Sequence, residues 1–176
     1  MARMRIFPML ALVAWLAACS PDQNWRQITF EGAALKAQLP CKPDRTVREV
    51  PLGGVPVQLH VAGCESGSAM LAVMTASLAP GADVQAVLQG WQQATLAHLK
   101  ATDPIPQTWV KPGMLPLEAV RQIQAHGQAS DGRAVYIQAA WGAFADGDHV
   151  RVVHAVVYAP KMRQELAQTL FDGVQP

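Results

Sequence analysis

The sequence has few charged and few aromatic residues and almost no net charge. Charged side chains make up 15% of its 176 residues and aromatic side chains 6%, and the formal net charge is +1. Proteins that bind nucleic acid usually carry a strongly basic surface, and a net charge this close to zero does not supply one. We therefore expect no nucleic-acid partner. The sequence also has no internal repeat and no low-complexity tract, which excludes solenoids and propellers.

No apolar run is long enough for a membrane-spanning helix. The apolar stretch from Ile6 to Ala18 is shorter than the roughly 20 residues that a spanning helix needs. Arg3 and Arg5 precede it, and it ends in Leu16-Ala17-Ala18-Cys19. This pattern is typical of a cleavable export signal, and the final tetrad resembles the lipobox of bacterial lipoproteins.

Cys19 is therefore the expected lipid-attachment residue. We expect residues 1–18 to be a signal peptide, residues 19–24 a tether and residues 25–176 a single domain. Acyl chains on Cys19 would insert into the lipid bilayer and anchor the protein to the membrane. Ser20 follows Cys19, whereas bacterial lipoproteins that are retained in the inner membrane typically carry aspartate at that position. We therefore expect the protein to be anchored in the outer membrane of a bacterial cell envelope, facing the periplasm. An ordinary secretory signal with a chance cysteine is the alternative.

Only two other cysteines are present, Cys41 and Cys64. Disulfides persist in exported proteins, and Gly53-Gly54 supplies a turn midway between two strand-like runs that end near these cysteines. The sequence therefore predicts a Cys41–Cys64 disulfide. The alternative, a redox or metal-binding pair, is less favoured because no CxxC motif or zinc-type spacing accompanies it.

Apolar residues follow a strand-like pattern in eight segments and a helical spacing in two. The strand-like segments are 25–30, 34–39, 46–50, 55–61, 70–77, 119–127, 134–143 and 150–158. An apolar stripe predicts one helix over 83–99, and a second is expected from Pro160. The last strand is apolar on both faces. These features predict an α+β fold, a mostly antiparallel sheet covered by helices on both faces, that is, an α-β-α sandwich.

The proline-rich segment 103–116 is expected to be an ordered loop. Trp109, with Ile105 and Met114 nearby, is the candidate for an exposed contact surface, although a loop folded back onto the core would also explain these residues. Trp91 and Trp141 are expected in the core, because they lie on a helix stripe and on a strand face.

No catalytic, metal-binding or cofactor-binding pattern is present. The histidines form no HxH or HExxH pair, so we expect His60 and His154 to be satisfied within strands or at the surface. Ser66 lacks the leading glycine of a nucleophile elbow. Asp146-Gly147-Asp148 predicts a turn rather than a calcium site. We therefore expect neither a metal nor another cofactor.

The order of these features resembles that of bacterial PsbP-like proteins. The resemblance rests on Trp25 and the run from Phe30 to Pro40, on the long helix and Gly/Asp hairpins that follow, and on the final Leu170-Phe171-Asp172-Gly173-Val174. It implies an α-β-α sandwich that acts as a non-catalytic binding or assembly factor. It assigns no functional residue, and the Cys41/Cys64 pair departs from the family pattern.

Three functions remain open. The first is a membrane-anchored envelope lipoprotein that is not an enzyme and docks on another envelope protein. The second is a carrier or sensor for a small apolar ligand, bound between helix and sheet beneath the Trp109 loop. The third is an enzyme whose site forms from residues on separate strands.

Overall fold

The computed structural model describes residues 23–176, so Cys19 and the signal segment lie outside the described residues. Strand makes up 52% of the described chain and helix 16%. The elements in chain order are β1 (Arg26–Thr29), β2 (Lys36–Leu39), β3 (Asp44–Leu52), β4 (Val55–Ser66), β5 (Ala69–Leu78), α1 (Val84–His98), β6 (Thr102–Thr108), β7 (Arg121–Gln128), β8 (Ala134–Asp146), β9 (His149–Ala159) and α2 (Gln164–Asp172). No helix among them is long and apolar enough to cross a membrane.

Seven of the strands form one antiparallel sheet in the order β3-β4-β5-β9-β8-β7-β6. Strands β1 and β2, which lie within the predicted strand-like segments 25–30 and 34–39, form a separate two-stranded ribbon. Tight turns connect several neighbours. Gly53 and Gly54, at φ values of +63° and +82°, join β3 to β4 in a backbone conformation that side chains disfavour.

The α-β-α sandwich prediction is wrong, because this part of the chain is mostly β and has only two helices. Helix α1 packs against one face of the sheet, called here the α1 face. Much of the cover on the other face, the ribbon face, comes from β1 and β2 together with the short α2. The two edge strands, β3 and β6, are exposed along almost their whole length.

The apolar core lies on both sides of the sheet, and β9 contributes to each. Val152 and Val156 are buried on the α1 face, whereas Val153, Ala155 and Val157 are buried on the ribbon face. The expectation of a last strand buried on both faces is confirmed. The central strands therefore hold the ribbon and α1 together.

The Cys41–Cys64 disulfide is confirmed. It joins the segment after β2 to β4, with the two Cα atoms 6.1 Å apart. The β3–β4 hairpin brings Asp44 opposite Gly63, so the two cysteines meet at the open end of the hairpin. The bond ties the ribbon to the sheet.

Helix α2 is shorter than the sequence indicates, because it begins at Gln164 rather than Pro160. The side chain of its N-cap residue, Arg163, makes no capping bond. Instead, Gln138 on β8 accepts a hydrogen bond from the Arg163 backbone N–H (2.8 Å). At the other end of α2, the Lys111 ammonium donates to the carbonyls of Phe171 and Asp172, in the last turn of the helix.

The prediction of a loop over the whole segment 103–116 is wrong in its first part. Residues Thr102–Thr108 form β6, which pairs with β7 and is irregular between Thr102 and Ile105. Pro104 and Pro106 fit an edge strand, because proline disrupts a sheet only where its nitrogen would have to donate to a neighbour.

Candidate functional site

The three candidate contact residues do not form one exposed surface. Trp109 is 4% exposed and packs on Phe171 of α2, with the ring centroids 6.0 Å apart. Met114 is partly buried between the two sides of the core. Ile105 alone remains open, with 58% of its surface exposed on β6. Trp109 therefore follows the alternative expectation, in which the loop folds back onto the core.

A groove runs between α1 and the edge of the sheet, and we call it the α1–β6 groove. Its volume is about 400 Å³. Three elements line it: α1 through Gln89, Gln92, Gln93 and Leu96, β6 through Pro104 and Pro106, and β7 through Arg121 and Ile123. The strand pairing explains this geometry, because Pro106 lies opposite Ile123 and both face α1.

Two glutamines of α1 fix the position of the helix beside the groove, because their side chains form hydrogen bonds with the backbone of Ala119. The Gln92 Nε2 donates to the Ala119 carbonyl (2.6 Å), and the Gln85 Oε1 accepts from the Ala119 N–H (3.2 Å). Gln92 is buried, whereas Gln89 and Gln93 are exposed. One side of the groove is therefore fixed, and its rim carries amides that face solvent.

Arg121 stands at the junction of this groove with a second one. Its Nε and Nη2 donate to the Glu118 carbonyl at 2.9 and 2.5 Å. The second groove, of about 360 Å³, is also lined by Arg121 and Pro106, and it extends past Thr108 to Leu117. A guanidinium has five N–H donors, so these bonds leave donors for a ligand.

The edge of β6 beside the groove is poorly suited to pairing with another strand. A proline can occupy an edge strand where its backbone nitrogen faces away from the neighbour. Pro104 and Pro106 therefore take outward positions and remove two N–H groups that an added strand would need. A partner at this side would lie in the groove rather than extend the sheet.

The groove offers hydrogen bonds and one fixed positive charge. Amide side chains both donate and accept, but they do not exchange protons near neutral pH. Within residues 23–176 there is no group of three or more His, Cys, Asp or Glu side chains that could hold a metal ion. Half of the lining residues, Leu96, Pro104, Pro106 and Ile123, are apolar, so the groove can contact both apolar and polar groups of a ligand.

Beneath α1, on the same face, His154 is fully buried between two indoles. Its ring stacks on Trp141, with centroids 4.3 Å apart, and meets Trp91 edge-on at 5.4 Å. Its Nδ1 bonds to the Ala140 carbonyl (3.2 Å), but its Nε2 has no partner among the described residues. Burial lowers the pKa of His154 to about 4, so the ring is neutral at pH 7.

The predictions for this cluster are confirmed for the tryptophans and only partly met for the histidine. Trp91 and Trp141 are core residues, at 8% and 0% exposure. His154 is neither at the surface nor fully satisfied. Its environment arises from strand pairing, which places Trp141 opposite His154.

The Asp146–Asp148 segment is a turn, as predicted, with Gly147 at φ +65°. Both carboxylates have cationic or hydrogen-bonding neighbours. Asp146 accepts from the Arg151 guanidinium (2.6 Å), which also donates to the Gly32 carbonyl of the ribbon. Asp148 contacts the His149 Nδ1 (2.7 Å). This turn ties the β8–β9 hairpin to the ribbon.

The α1–β6 groove was not predicted from the sequence, although part of its lining follows a visible sequence pattern. Gln85, Gln89, Gln92 and Gln93 recur at helical spacing beside the apolar stripe of α1. The contribution of Arg121 and the prolines depends on the β6–β7 register, which no local pattern reveals.

No protein-family model matches the chain, and no curated protein matches it at a significant level.

Proposed function

We propose that the protein is a non-catalytic binding or assembly factor of the bacterial cell envelope, and that a segment of another envelope protein lies in its α1–β6 groove. The observation that carries the proposal is the lining of the groove: exposed amides on α1, Arg121 on β7 and the prolines of β6. Amides that both donate and accept complement the N–H and C=O groups of an extended peptide.

The envelope part of the proposal rests on the sequence and on the disulfide. The signal-like segment and Cys19 favour a lipid-anchored protein at the outer membrane, facing the periplasm. The Cys41–Cys64 bond is compatible with an oxidising compartment. We keep the resemblance to PsbP-like proteins in the proposal only for its binding or assembly role, because the α-β-α sandwich that it also implies is contradicted by the mostly β fold.

The packing beneath α1 favours this role over a carrier of small apolar ligands. Such a carrier would bind its ligand in the space between helix and sheet, beneath the Trp109 loop. Trp91, His154 and Trp141 are packed together under α1. Trp109 packs against Phe171 on the ribbon face, away from α1.

Site-specific photo-cross-linking tests the proposal. A photoreactive residue is placed at Gln93, on the groove rim, in the full chain expressed in bacterial cells. The matched control carries it at Ser130, an exposed turn residue outside the lining of the groove. We expect a discrete cross-linked envelope protein from position 93 and none from position 130. Equal labelling from both positions, or none from position 93, would overturn the proposal.

A further inference from the structure

Strand β3 is an open edge of the sheet. It pairs with β4 on one side, and its residues from Asp44 to Glu49 are exposed. The two-residue turn at Gly53-Gly54 makes Leu52 and Val55 a hydrogen-bonded pair. Because such pairs alternate along antiparallel strands, the even-numbered residues of β3 bond to β4.

The odd-numbered residues of β3 consequently direct their backbone N–H and C=O groups away from the sheet. These residues are Arg45, Val47 and Glu49, together with Pro51, which has a carbonyl but no N–H. Pro51 lies opposite Pro56, and two prolines cannot exchange hydrogen bonds, which agrees with this assignment. From Arg45 to Glu49, before Pro51, the outer edge of β3 thus offers an uninterrupted row of backbone donors and acceptors, whereas Pro104 and Pro106 lie within the corresponding row on β6.

The side chains along this row are complementary to themselves. We propose that β3 pairs antiparallel with β3 of a second copy of the chain, about a two-fold axis at Val47. Val47 then lies opposite the second copy's Val47, and Arg45 lies opposite the second copy's Glu49. All of these residues belong to the outward set, so each pair exchanges both of its backbone hydrogen bonds.

Exposure and local contacts agree with this pairing. Val47 is 53% exposed, so its side chain is open to contact with a second copy. The Arg45 Nη1 donates to the Thr29 carbonyl of the ribbon (2.7 Å), which fixes the side chain and leaves other guanidinium donors for a carboxylate. Charges on an edge strand normally oppose pairing, but here opposite charges meet in both directions.

Neighbouring registers are less favourable. A shift of two residues toward the C-terminal end of β3 places Arg48 opposite the second copy's Arg48, and like charges directly opposite are destabilising. A shift in the other direction places Glu49 opposite Pro43, outside the strand. In the centred register, Arg48 lies opposite Thr46, and no like charges face each other.

Charge reversal tests the pairing in the full chain, purified in mild detergent and measured by sedimentation over a dilution series. We expect the unmodified chain to dimerise and Arg45→Glu and Glu49→Arg each to weaken the dimer about tenfold or more, because each places like charges opposite. An equimolar mixture of the two variants restores complementary pairs and should form a heterodimer. A misfolded variant could not be rescued by mixing. A monomeric unmodified chain, or variants with unchanged dimerisation, would overturn the proposal.

Two further variants check the register and the edge. Val47→Cys should form an intermolecular disulfide on mild oxidation, whereas Thr46→Cys, which lies opposite Arg48, should form much less. Gln107→Arg, on exposed β6, should leave dimerisation unchanged. Equal cross-linking from positions 46 and 47, or loss of the dimer in Gln107→Arg, would contradict pairing through β3 in this register.

Discussion

The imidazole of His154 lies parallel to the indole of Trp141, at 4.3 Å between ring centroids and an interplanar angle of 4°. The two residues are direct partners on β9 and β8, under helix α1. Both rings are fully buried, and each keeps one nitrogen without a hydrogen-bond partner among the described residues. A protonated imidazole would be costly in this position.

Folding stability should therefore fall in mild acid because of His154. Its pKa is about 4 in the folded chain, below the ordinary 6.5, so between these values only the unfolded chain takes up the proton. The free energy of unfolding from this group should decrease by roughly 2 kcal/mol from pH 7 to pH 5. Urea unfolding of the unmodified chain and of His154→Phe at both pH values measures it. The same pH dependence in both proteins would contradict the assignment.

Lys111 should stabilise the C-terminal end of α2. Its ammonium donates to the carbonyls of Phe171, Asp172 and Val174. Burial lowers the pKa of Lys111, and Asp172 opposes that shift. Lys111→Met should reduce the free energy of unfolding by about 1–3 kcal/mol, because these carbonyls lose their charged donor. The exposed Lys161→Met is the control and should change it by less than about 0.5 kcal/mol. Equal losses of stability in Lys111→Met and Lys161→Met would contradict a stabilising role for Lys111 at the end of α2.

Removal of the disulfide should destabilise the domain. The bond closes a loop with a sequence separation of 23, for which chain entropy gives about 3 kcal/mol. The Cys41→Ala/Cys64→Ala double variant should lose an amount near this in urea unfolding, and a reducing agent should affect only the unmodified chain. Unchanged stability in the double variant would contradict a stabilising bond.

Cys19 should be the acylated residue. Cys19→Ala should abolish incorporation of a labelled fatty acid and leave the chain at its precursor mass, because the thiol accepts the lipid before cleavage. The Cys41→Ala/Cys64→Ala variant keeps Cys19 and should be labelled normally. Labelling of Cys19→Ala would contradict the lipoprotein interpretation.

Local signals in the sequence located most of the elements. Asp83 marks the start of α1 because its carboxylate accepts a hydrogen bond from the Ala86 N–H (3.0 Å), a contact within one turn. The alternating run that begins at Val55 identified β4, and Gly53-Gly54 identified the turn before it. In each case the determining residues are close in sequence.

Where prediction failed, the determining partner is distant in sequence. Helix α2 begins at Gln164 because Gln138, on β8, supplies the capping acceptor. The prolines of β6 are compatible with a strand only because β6 lies at an edge. The cover on the ribbon face depends on how the ribbon of β1 and β2 packs against the sheet, so the sandwich prediction overestimated the contribution of helices to that cover. The α1–β6 groove likewise needs the pairing of β6 with β7.

If a partner binds in the α1–β6 groove, the yield of the cross-link from position 93 should depend on the charge of Arg121. Arg121→Glu reverses the charge at the junction of the two grooves, and Arg133→Glu makes the same change at an exposed turn outside their lining. We expect Arg121→Glu to lower the yield about tenfold and Arg133→Glu to leave it unchanged. Equal yields from the unmodified chain and from both variants would contradict binding in this groove.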